Sequence, residues 1–285
     1  MPNSKDSRTA PETQAKKRWT PPGGTLGRLI RAASERAAGL QPRSRELEER
    51  ALAADPAPSL AQALATDHVG LIAEVKRSSP SRGAIRPELD AERQAAAYQR
   101  GGAAAISVLT EPDEFGGSDA DMAAAIRGAG LPTLRKDFHV SAVQLFQARC
   151  LGASAALLIA RALEPSLFSE LVEVARAIDL GIVAEVRDMA EMDRAITAGA
   201  RIIGVNNRNL ETLAIERGTA EALMPQIPRG IIAIAESGYA DKAAIERAAA
   251  AGADAVLVGS FLSVAADPAA EVARLAGVRK VTRGG

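Results

Sequence analysis

The chain has 285 residues with 35 Lys and Arg against 35 Asp and Glu, so its formal net charge is zero, and 47% of its residues are hydrophobic. This composition excludes a wholly disordered protein and one that binds nucleic acid or anionic lipid through bulk positive charge, and no apolar run reaches the ~18 residues of a membrane span. Because only 3% of the residues are aromatic, the core must be built from Val, Ile, Leu and Ala, which suits helices that cover branched strands.

The first 24 residues differ from the rest, since they are polar, rich in Pro and Gly and without apolar periodicity. We predict a flexible tail over 1–24, and we expect no secretory signal there because the stretch lacks an apolar run. A helical segment, 25–70, follows before the first convincing strand. Its predicted helices lie near 26–33 (with Thr25 as the N-cap), 46–54 and 59–65.

From residue 71 onward, short apolar runs alternate with stretches that have helical apolar spacing. The eight predicted strands are 71–76, 103–110, 132–138, 154–160, 181–186, 200–206, 230–237 and 253–260. Eight successive βα units predict an α/β fold with a parallel sheet. They favour a (β/α)8 or TIM barrel over 71–277, with an extra N-terminal helical segment and a C-terminal tail at 278–285; an open doubly wound sheet is the alternative.

Charged and polar residues recur at the carboxyl ends of these predicted strands, which is where barrels of this kind build their active sites. Burying an ion costs several kcal/mol, whereas strand propensities differ by only ~1 kcal/mol, so such a cluster needs a functional reason. The alternative is a ring of ion pairs that only satisfy one another. The residues are Glu74, Lys76, Lys136, Glu185, Asn206, Arg208, Glu236, Ser237, Gly259 and Ser260.

The chemistry of this cluster is that of proton transfer beside an anion site. Lys136 is a candidate proton donor if desolvation lowers its pKa toward neutral, and Glu185 is the matching base. The pairs Ser237-Gly238 and Gly259-Ser260 follow the last two predicted strands, where glycine lets backbone N–H groups approach a phosphate. We therefore expect a phosphorylated small-molecule substrate.

Seven segments of the chain, in family order, resemble the indole-3-glycerol-phosphate synthase family over about residues 25–275. They are IAEVKRSSPSRG (72–83), SVLTEPDEFGGS (107–118), LPTLRKDF (131–138), AEVRD (184–188), GVNNRNL (204–210), AESG (235–238) and VLVGSF (256–261). The resemblance implies a carboxy-lyase of tryptophan biosynthesis. Such an enzyme converts 1-(2-carboxyphenylamino)-1-deoxyribulose 5-phosphate to indole-3-glycerol phosphate, carbon dioxide and water, without cofactor or metal.

The resemblance also implies roles for individual catalytic residues. Lys136 is similar to the general acid of ring closure, and Glu185 to the acid–base residue of the later dehydration. Lys76 matches a lysine that contacts the substrate carboxylate or phosphate and shares the acid role. The residues that match groups orienting the substrate and these side chains are Glu74, Asn206 and Glu236.

Other positions match the substrate-binding wall of the family. Arg208 matches a residue near the anthranilate carboxylate, and Ser79 and Pro80 belong to the mobile loop after the first strand. The apolar wall around the anthranilate ring corresponds to Phe115, Phe138 and Leu210. The phosphate cradle corresponds to Lys76, Ser237, Gly238, Gly259 and Ser260. The helical segment before the first strand matches a family extension that covers the top of the barrel.

Some residues depart from the pattern or favour other assignments. His139 is expected to be a loop residue rather than a catalyst, and Cys150 a buried, inert thiol in a reducing compartment. Phosphoribosylanthranilate isomerase is disfavoured because Glu74-Val-Lys76 stands where that family has a cysteine. A barrel without catalytic activity is the second alternative. We expect a cytoplasmic monomer or weak dimer with other tryptophan-pathway enzymes as partners, and neither nucleic acid nor membrane.

Overall fold

Eight parallel strands close into a barrel in the computed structural model, which describes residues 19–283. In chain order they are β1 (Gly70–Val75), β2 (Ala105–Leu109), β3 (Thr133–Lys136), β4 (Ala155–Ile159), β5 (Gly181–Val186), β6 (Ile202–Asn206), β7 (Ile232–Glu236) and β8 (Ala255–Val258). Each strand pairs with its neighbours in the chain, and β8 pairs with β1. The predicted (β/α)8 barrel is confirmed, every predicted strand lies within two residues of the observed bounds, and the open-sheet alternative is wrong.

Helices cover the outside of the barrel and extend it at the N-terminus. Those of the described residues are α1 (Gly24–Leu40), α2 (Ser44–Leu52), α3 (Leu60–Leu64), α4 (Ala91–Arg100), α5 (Asp119–Ala129), α6 (Ala142–Cys150), α7 (Pro165–Ala177), α8 (Met189–Thr197), α9 (Gly218–Leu223), α10 (Lys242–Ala250), α11 (Ser260–Ser263) and α12 (Pro268–Leu275), with 3-10 turns at Gln41–Arg43 and Met224–Gln226. Side-chain caps start several of them; Asp90 and Asp241, for example, accept hydrogen bonds from the N–H groups of Arg93 and Ala244. None of the described helices is both long and apolar enough to cross a membrane.

The barrel core is built from small and branched aliphatic residues, as the low aromatic content predicts. All five residues of β4 are buried, and so are all five of β2. Burial on both faces is what a parallel sheet covered by helices requires. Buried polar residues also occur on the strands, and those near the carboxyl ends include Glu74, Glu185 and Glu236.

The segment that precedes the barrel packs on it through α1. Helix α1 begins at Gly24, and its N-cap is Gly23, whose N–H donates to Glu211 Oε1 at 2.9 Å. The predicted Thr25 cap is therefore wrong, because Thr25 lies in the first turn and its own N–H donates to the backbone carbonyl oxygen of Glu211, in the loop after β6, at 3.2 Å. Of the predicted tail, residues 1–18 lie outside the described residues, and Trp19 Nε1 donates to the carbonyl oxygen of Arg161 at 3.2 Å.

Residues 278–283, which belong to the predicted C-terminal tail, contact the barrel at the amino ends of its strands. The carbonyl oxygen of Val278 accepts a hydrogen bond from Val69 N at 2.8 Å. Arg283 Nη1 lies 2.8 Å from Asp254 Oδ2. These contacts lie on the side opposite the carboxyl strand ends, and so they leave the carboxyl end of the barrel open.

His139 lies in the loop after β3, as expected, but it is almost completely buried. Its Nδ1 is 2.9 Å from the carbonyl oxygen of Leu157. Burial, together with the nearby Arg135 charge, lowers the pKa of His139 to about 4. The folded chain therefore holds this histidine neutral at a pH where the unfolded chain protonates it.

Acidification is therefore expected to destabilise the fold through His139. The unfolded histidine binds a proton below about pH 6.5 and the folded one only below about 4, so the free energy of unfolding falls as the pH drops from about 6.5 to 4, by at most about 1.4 kcal/mol per pH unit. Urea unfolding at pH 7 and pH 5 measures this loss as a difference between the unmodified chain and H139Q, in which it should be reduced, because Glu191 and Glu236, whose pKa values burial raises to about 7, act in the opposite direction in both. H68Q, at the exposed second histidine, should keep the loss; an unchanged loss in H139Q would contradict the assignment.

Candidate active site

A cavity of about 370 Å³ lies at the carboxyl ends of the strands. Helix α1 contributes Leu29 to its wall, so the N-terminal extension covers part of the opening. All of the site residues predicted from the sequence line it. They are Glu74, Lys76, Ser79, Pro80, Phe115, Lys136, Phe138, Glu185, Asn206, Arg208, Leu210, Glu236, Ser237, Gly238, Gly259 and Ser260.

The floor of the cavity is a layer of four charged side chains from the odd-numbered strands. Glu74, Lys136, Glu185 and Glu236 come from β1, β3, β5 and β7, and alternate strands of such a barrel contribute to the same layer. Lys136 Nζ lies 3.1 Å from Glu185 Oε2 and 3.0 Å from Glu236 Oε2. A layer that is apolar in an ordinary barrel core is thus replaced here by one lysine and three carboxylates. Lys136 beside Glu185 and Glu236, together with Lys76 beside Glu74, compensates the buried negative charge of this cluster.

The proton affinities in this layer differ from those expected from the sequence. Burial opposes the charge of Lys136, but the carboxylates of Glu236, Glu185 and Glu74 outweigh it and raise the pKa of Lys136. The expectation that the pKa of Lys136 is lowered toward neutral is therefore wrong, although burial acts in that direction. Burial raises the pKa of Glu236 to about 7, against the attraction of Lys136. At neutral pH the layer thus holds a charged lysine beside a glutamate that is close to its own pKa.

Lys76 is the lysine whose pKa moves toward neutral. Burial lowers it, and the charge of Lys136 adds to this effect, whereas Glu74 opposes it. Its Nζ lies 3.5 Å from Glu74 Oε1 and 5.6 Å from the centroid of the Phe115 ring. Lys76 therefore stands between the charged layer and the aromatic wall.

Two glycines leave the space that the buried carboxylates occupy. A Cβ at Gly204 would collide with Oε1 of Glu236, and one at Gly259 would collide with Oε1 of Glu74. The structure thus gives Gly259, which the sequence predicted as part of a phosphate cradle, a steric role beside Glu74. Gly204 was not among the predicted site residues, although the quoted GVNNRNL segment begins with it; only the packed structure shows which carboxylate it faces.

Gly204→Ala is expected to lower kcat for the reaction that the resemblance implies on the order of tenfold or more, because the Glu236 carboxylate must move away from Lys136. Steady-state kinetics together with a thermal unfolding curve measure the effect. Gly39→Ala on α1 is the matched control, since a Cβ there meets nothing within 4 Å. A G204A enzyme with unchanged kcat would show that the position of Glu236 is not critical.

One wall of the cavity is apolar. The rings of Phe115 and Phe138 have centroids 6.2 Å apart and an interplanar angle of 40°. Leu210 completes the predicted set and lies on the same loop as Arg208. This loop is fixed by Asn206, whose Oδ1 accepts a hydrogen bond from Arg208 N at 2.9 Å. The wall could thus bind a flat aromatic group next to a cation.

The other end of the cavity has the geometry of an anion site. Ser237 and Gly238 are consecutive residues with positive φ, 67° and 95°, which is unusual for a serine. Such consecutive turns direct backbone N–H groups toward one side. Two arginines not found from the sequence, Arg82 and Arg217, also line the cavity. They come from loops, where a lone arginine carries no sequence signal of its own.

The loop after β1 closes over the cavity and carries Ser79 and Pro80. The side chain of Arg77 pairs with Asp121, with Nη2 2.6 Å from Oδ1. Ser78 Oγ donates to the carbonyl oxygen of Glu114 at 2.8 Å. Ser79 Oγ is buried without a hydrogen-bond partner among the described residues, so it is available to a bound ligand.

Acid, base and cationic groups gathered at the carboxyl end of a closed barrel define a (β/α)8-barrel enzyme that uses acid–base chemistry. A family model described as "Indole-3-glycerol phosphate synthase" matches residues 29–275. The chain therefore belongs to the indole-3-glycerol phosphate synthase family. The resemblance found in the sequence is confirmed, and the isomerase alternative is not supported.

Individual relatives agree with this assignment. "Indole-3-glycerol phosphate synthase 1" of Streptomyces coelicolor is 48% identical over 230 residues, which are 81% of this chain and 86% of the relative. The protein named indole-3-glycerol phosphate synthase in Rhodococcus opacus is 47% identical over 225 residues, 79% and 84% of the two chains. A solved structure of thiamine phosphate pyrophosphorylase from Pyrococcus furiosus matches with a TM-score of 0.55 at 17% identity, covering 73% of this chain and 93% of that one. This last likeness concerns the fold alone.

Proposed function

We propose that the chain closes the indole ring of 1-(2-carboxyphenylamino)-1-deoxyribulose 5-phosphate and releases carbon dioxide and water to give indole-3-glycerol phosphate. The observation that carries this proposal is the layer of Lys136 with Glu74, Glu185 and Glu236 beside the aromatic wall. Family membership supports the same reaction. A lysine held among carboxylates provides the acid, and the wall provides a place for the ring.

Ring closure needs a proton on the ketone oxygen while the aromatic carbon attacks the ketone carbon. We assign this proton to the ammonium group of Lys136, with Lys76 as a second donor. Once Lys136 has given up its proton, it lies neutral between two carboxylates, a state that its raised pKa disfavours. Glu236, whose pKa of about 7 leaves it partly protonated at neutral pH, can return a proton to it.

Decarboxylation then removes the carboxylate from the ring carbon, and its electron pair passes into the adjacent unsaturated system. An apolar surrounding favours this step because it disfavours the localised charge of the carboxylate. Phe115, Phe138 and Leu210 supply that surrounding. Arg208 is the cation that we assign to hold the carboxylate before it leaves.

Dehydration completes the aromatic ring and needs both a base and an acid. We assign the base to Glu185, whose side chain accepts a hydrogen bond from Lys136 Nζ, and the proton on the leaving hydroxyl to a lysine. Asn206 and Glu74 orient these groups and the substrate hydroxyls. The water that leaves carries the hydroxyl oxygen of the former ketone carbon, so that atoms and protons balance.

The phosphate serves as a remote handle that fixes the substrate. We assign its binding to Ser237, Gly238, Gly259 and Ser260 with help from Lys76. Binding energy from such a non-reacting group orients the reacting atoms. A substrate without its phosphate should therefore lose kcat as well as affinity.

Incubation of the chain with the carboxyphenylamino-deoxyribulose phosphate tests the proposal. Indole fluorescence should rise with time in proportion to the protein concentration. The substrate in buffer alone is the control. A signal no higher than that of the buffer would contradict the proposed reaction and would favour the alternative of a barrel without catalytic activity.

We also propose a cytoplasmic location, a monomer or weak dimer, other tryptophan-pathway enzymes as partners, and catalysis without cofactor or metal. The single cysteine supports a reducing compartment. Its thiol has a pKa raised by burial, and its Sγ lies 3.4 Å from the carbonyl oxygen of Leu47, which fits a structural residue. The division into a tail at 1–24, a helical extension at 25–70, a barrel at 71–277 and a second tail at 278–285 is likewise proposed.

A further inference from the structure

Arg36 on α1 joins two buried carboxylates that belong to two different loops of the active-site end. Its Nη2 lies 2.9 Å from Asp137 Oδ1, and its Nη1 lies 3.5 Å from Glu111 Oε1. The Arg36 side chain is 27% exposed, whereas those of Asp137 and Glu111 are 5% and 0% exposed. Buried carboxylates need hydrogen bonds and a compensating cation, and Arg36 supplies part of both.

Glu111 uses its side chain to fold the loop that carries Phe115. Its Oε2 accepts hydrogen bonds from Glu114 N at 2.8 Å and from Phe115 N at 3.0 Å. Its Oε1 accepts one from Asp113 N at 3.2 Å. The Glu111 carboxylate thus fixes the backbone at Phe115, and with it the place of the Phe115 ring.

Asp137 does the same for the second ring. Its Oδ1 accepts a hydrogen bond from Phe138 N at 2.8 Å, in addition to the one from Arg36. Its Oδ2 accepts one from Thr110 Oγ1 at 2.7 Å and lies 3.7 Å from Arg135 Nη2. The loops after β2 and β3 therefore meet at Asp137. The backbone N–H of each phenylalanine in the aromatic wall donates to a carboxylate that Arg36 contacts.

The planar fork of a guanidinium can hold two carboxylates in a fixed arrangement, which an ammonium group cannot do as well. Without Arg36, the buried Glu111 carboxylate would keep only the backbone N–H donors of its own loop among the contacts described above, and Asp137 would keep Arg135 as its neighbouring arginine. We propose that Arg36 is a positioning residue for the substrate's aromatic ring, because it ties Glu111 to Asp137 and so fixes the spacing of Phe115 and Phe138. This inference rests on the proposed function, since it takes an aromatic ring as the occupant of that wall.

The test measures the binding of two separate probes, anthranilate for the aromatic wall and inorganic phosphate for the opposite end, by NMR titration. R36Q should weaken anthranilate binding about tenfold, which corresponds to about 1.4 kcal/mol, and should leave the dissociation constant of phosphate unchanged. R36K should also weaken anthranilate binding, because an ammonium group holds the two carboxylates less well than a guanidinium does. With the full substrate, R36Q should raise KM more than it lowers kcat.

Arg31 provides the matched control, because it is exposed on the same helix and R31Q removes the same charge. R31Q should bind both probes like the unmodified chain. D137N keeps Arg36 and the size of the Asp137 side chain but removes the charge that Arg36 holds, so it is the second variant in case R36Q detaches α1. It should also weaken the binding of anthranilate and leave that of phosphate unchanged. Unchanged anthranilate binding in R36Q, or an equal loss of both probes in R36Q and in D137N, would overturn the inference. If the unmodified chain forms no indole from the full substrate, the proposed function fails and the inference fails with it. If the chain forms indole but does not bind anthranilate, the inference alone is overturned.

Discussion

Replacing Lys136 with alanine is expected to lower kcat at least about 100-fold, the usual size of an acid–base contribution. Lys136 Nζ contacts the carboxylates of both Glu185 and Glu236, so its removal takes away the proton donor and the only cation of the charged layer. Glu236, whose pKa burial already raises to about 7, is then expected to be protonated at neutral pH, because the neighbouring cation that lowers its pKa is gone. The rate of indole fluorescence at saturating substrate measures the loss.

Two controls make the result specific to the site. Lys242→Ala removes an exposed lysine at the start of α10 and should leave kcat unchanged. In K136A itself, the affinity for inorganic phosphate should be close to that of the unmodified chain, since Lys136 belongs to the charged layer and not to the proposed phosphate site. A K136A enzyme with near-normal turnover would refute the assigned role.

Glu185→Gln is expected to lower the formation of indole at least about 100-fold as well. The amide keeps the size of the side chain and can still accept the hydrogen bond from Lys136, but it cannot take up a proton. Since Glu185 is assigned to the dehydration, carbon dioxide should leave before the block. A single-turnover experiment should therefore show release of carbon dioxide that is faster than the rise of indole fluorescence.

The matched control for this variant is Glu173→Gln, at an exposed position of α7. It should release carbon dioxide and form indole like the unmodified chain. Equal loss of both signals in E185Q would move Glu185 to an earlier step. Normal rates for both would remove it from the mechanism.

The barrel could be predicted from the sequence because its signals are local. Each strand is a short apolar run, and glycines such as Gly102 and Gly199, both with φ of 92°, end the preceding helices. The start of α1 could not be predicted in the same way. The hydrogen bonds at its start come from Glu211, which is far along the chain, and a local sequence pattern cannot show such a partner.

The site shows the same division. Charged residues at strand ends could be found from the pattern, and the structure brings all of them to one cavity. The direction of the pKa shift of Lys136 could not be predicted, because it depends on the three carboxylates that converge on this lysine from other strands. Gly204 and Arg36 were not predicted, for a related reason. Each contacts a carboxylate that is far away in the sequence, Glu236 for Gly204 and Asp137 for Arg36.

A crystal structure of the chain with indole-3-glycerol phosphate bound is the most direct test of the proposed site. The phosphate should lie within hydrogen-bond distance of the Ser237-Gly238 and Gly259-Ser260 segments, and the indole ring should contact Phe115 and Phe138. Lys136 Nζ should face the ring carbon that carried the ketone oxygen. A phosphate bound elsewhere in the cavity, or an indole ring away from both phenylalanines, would contradict it.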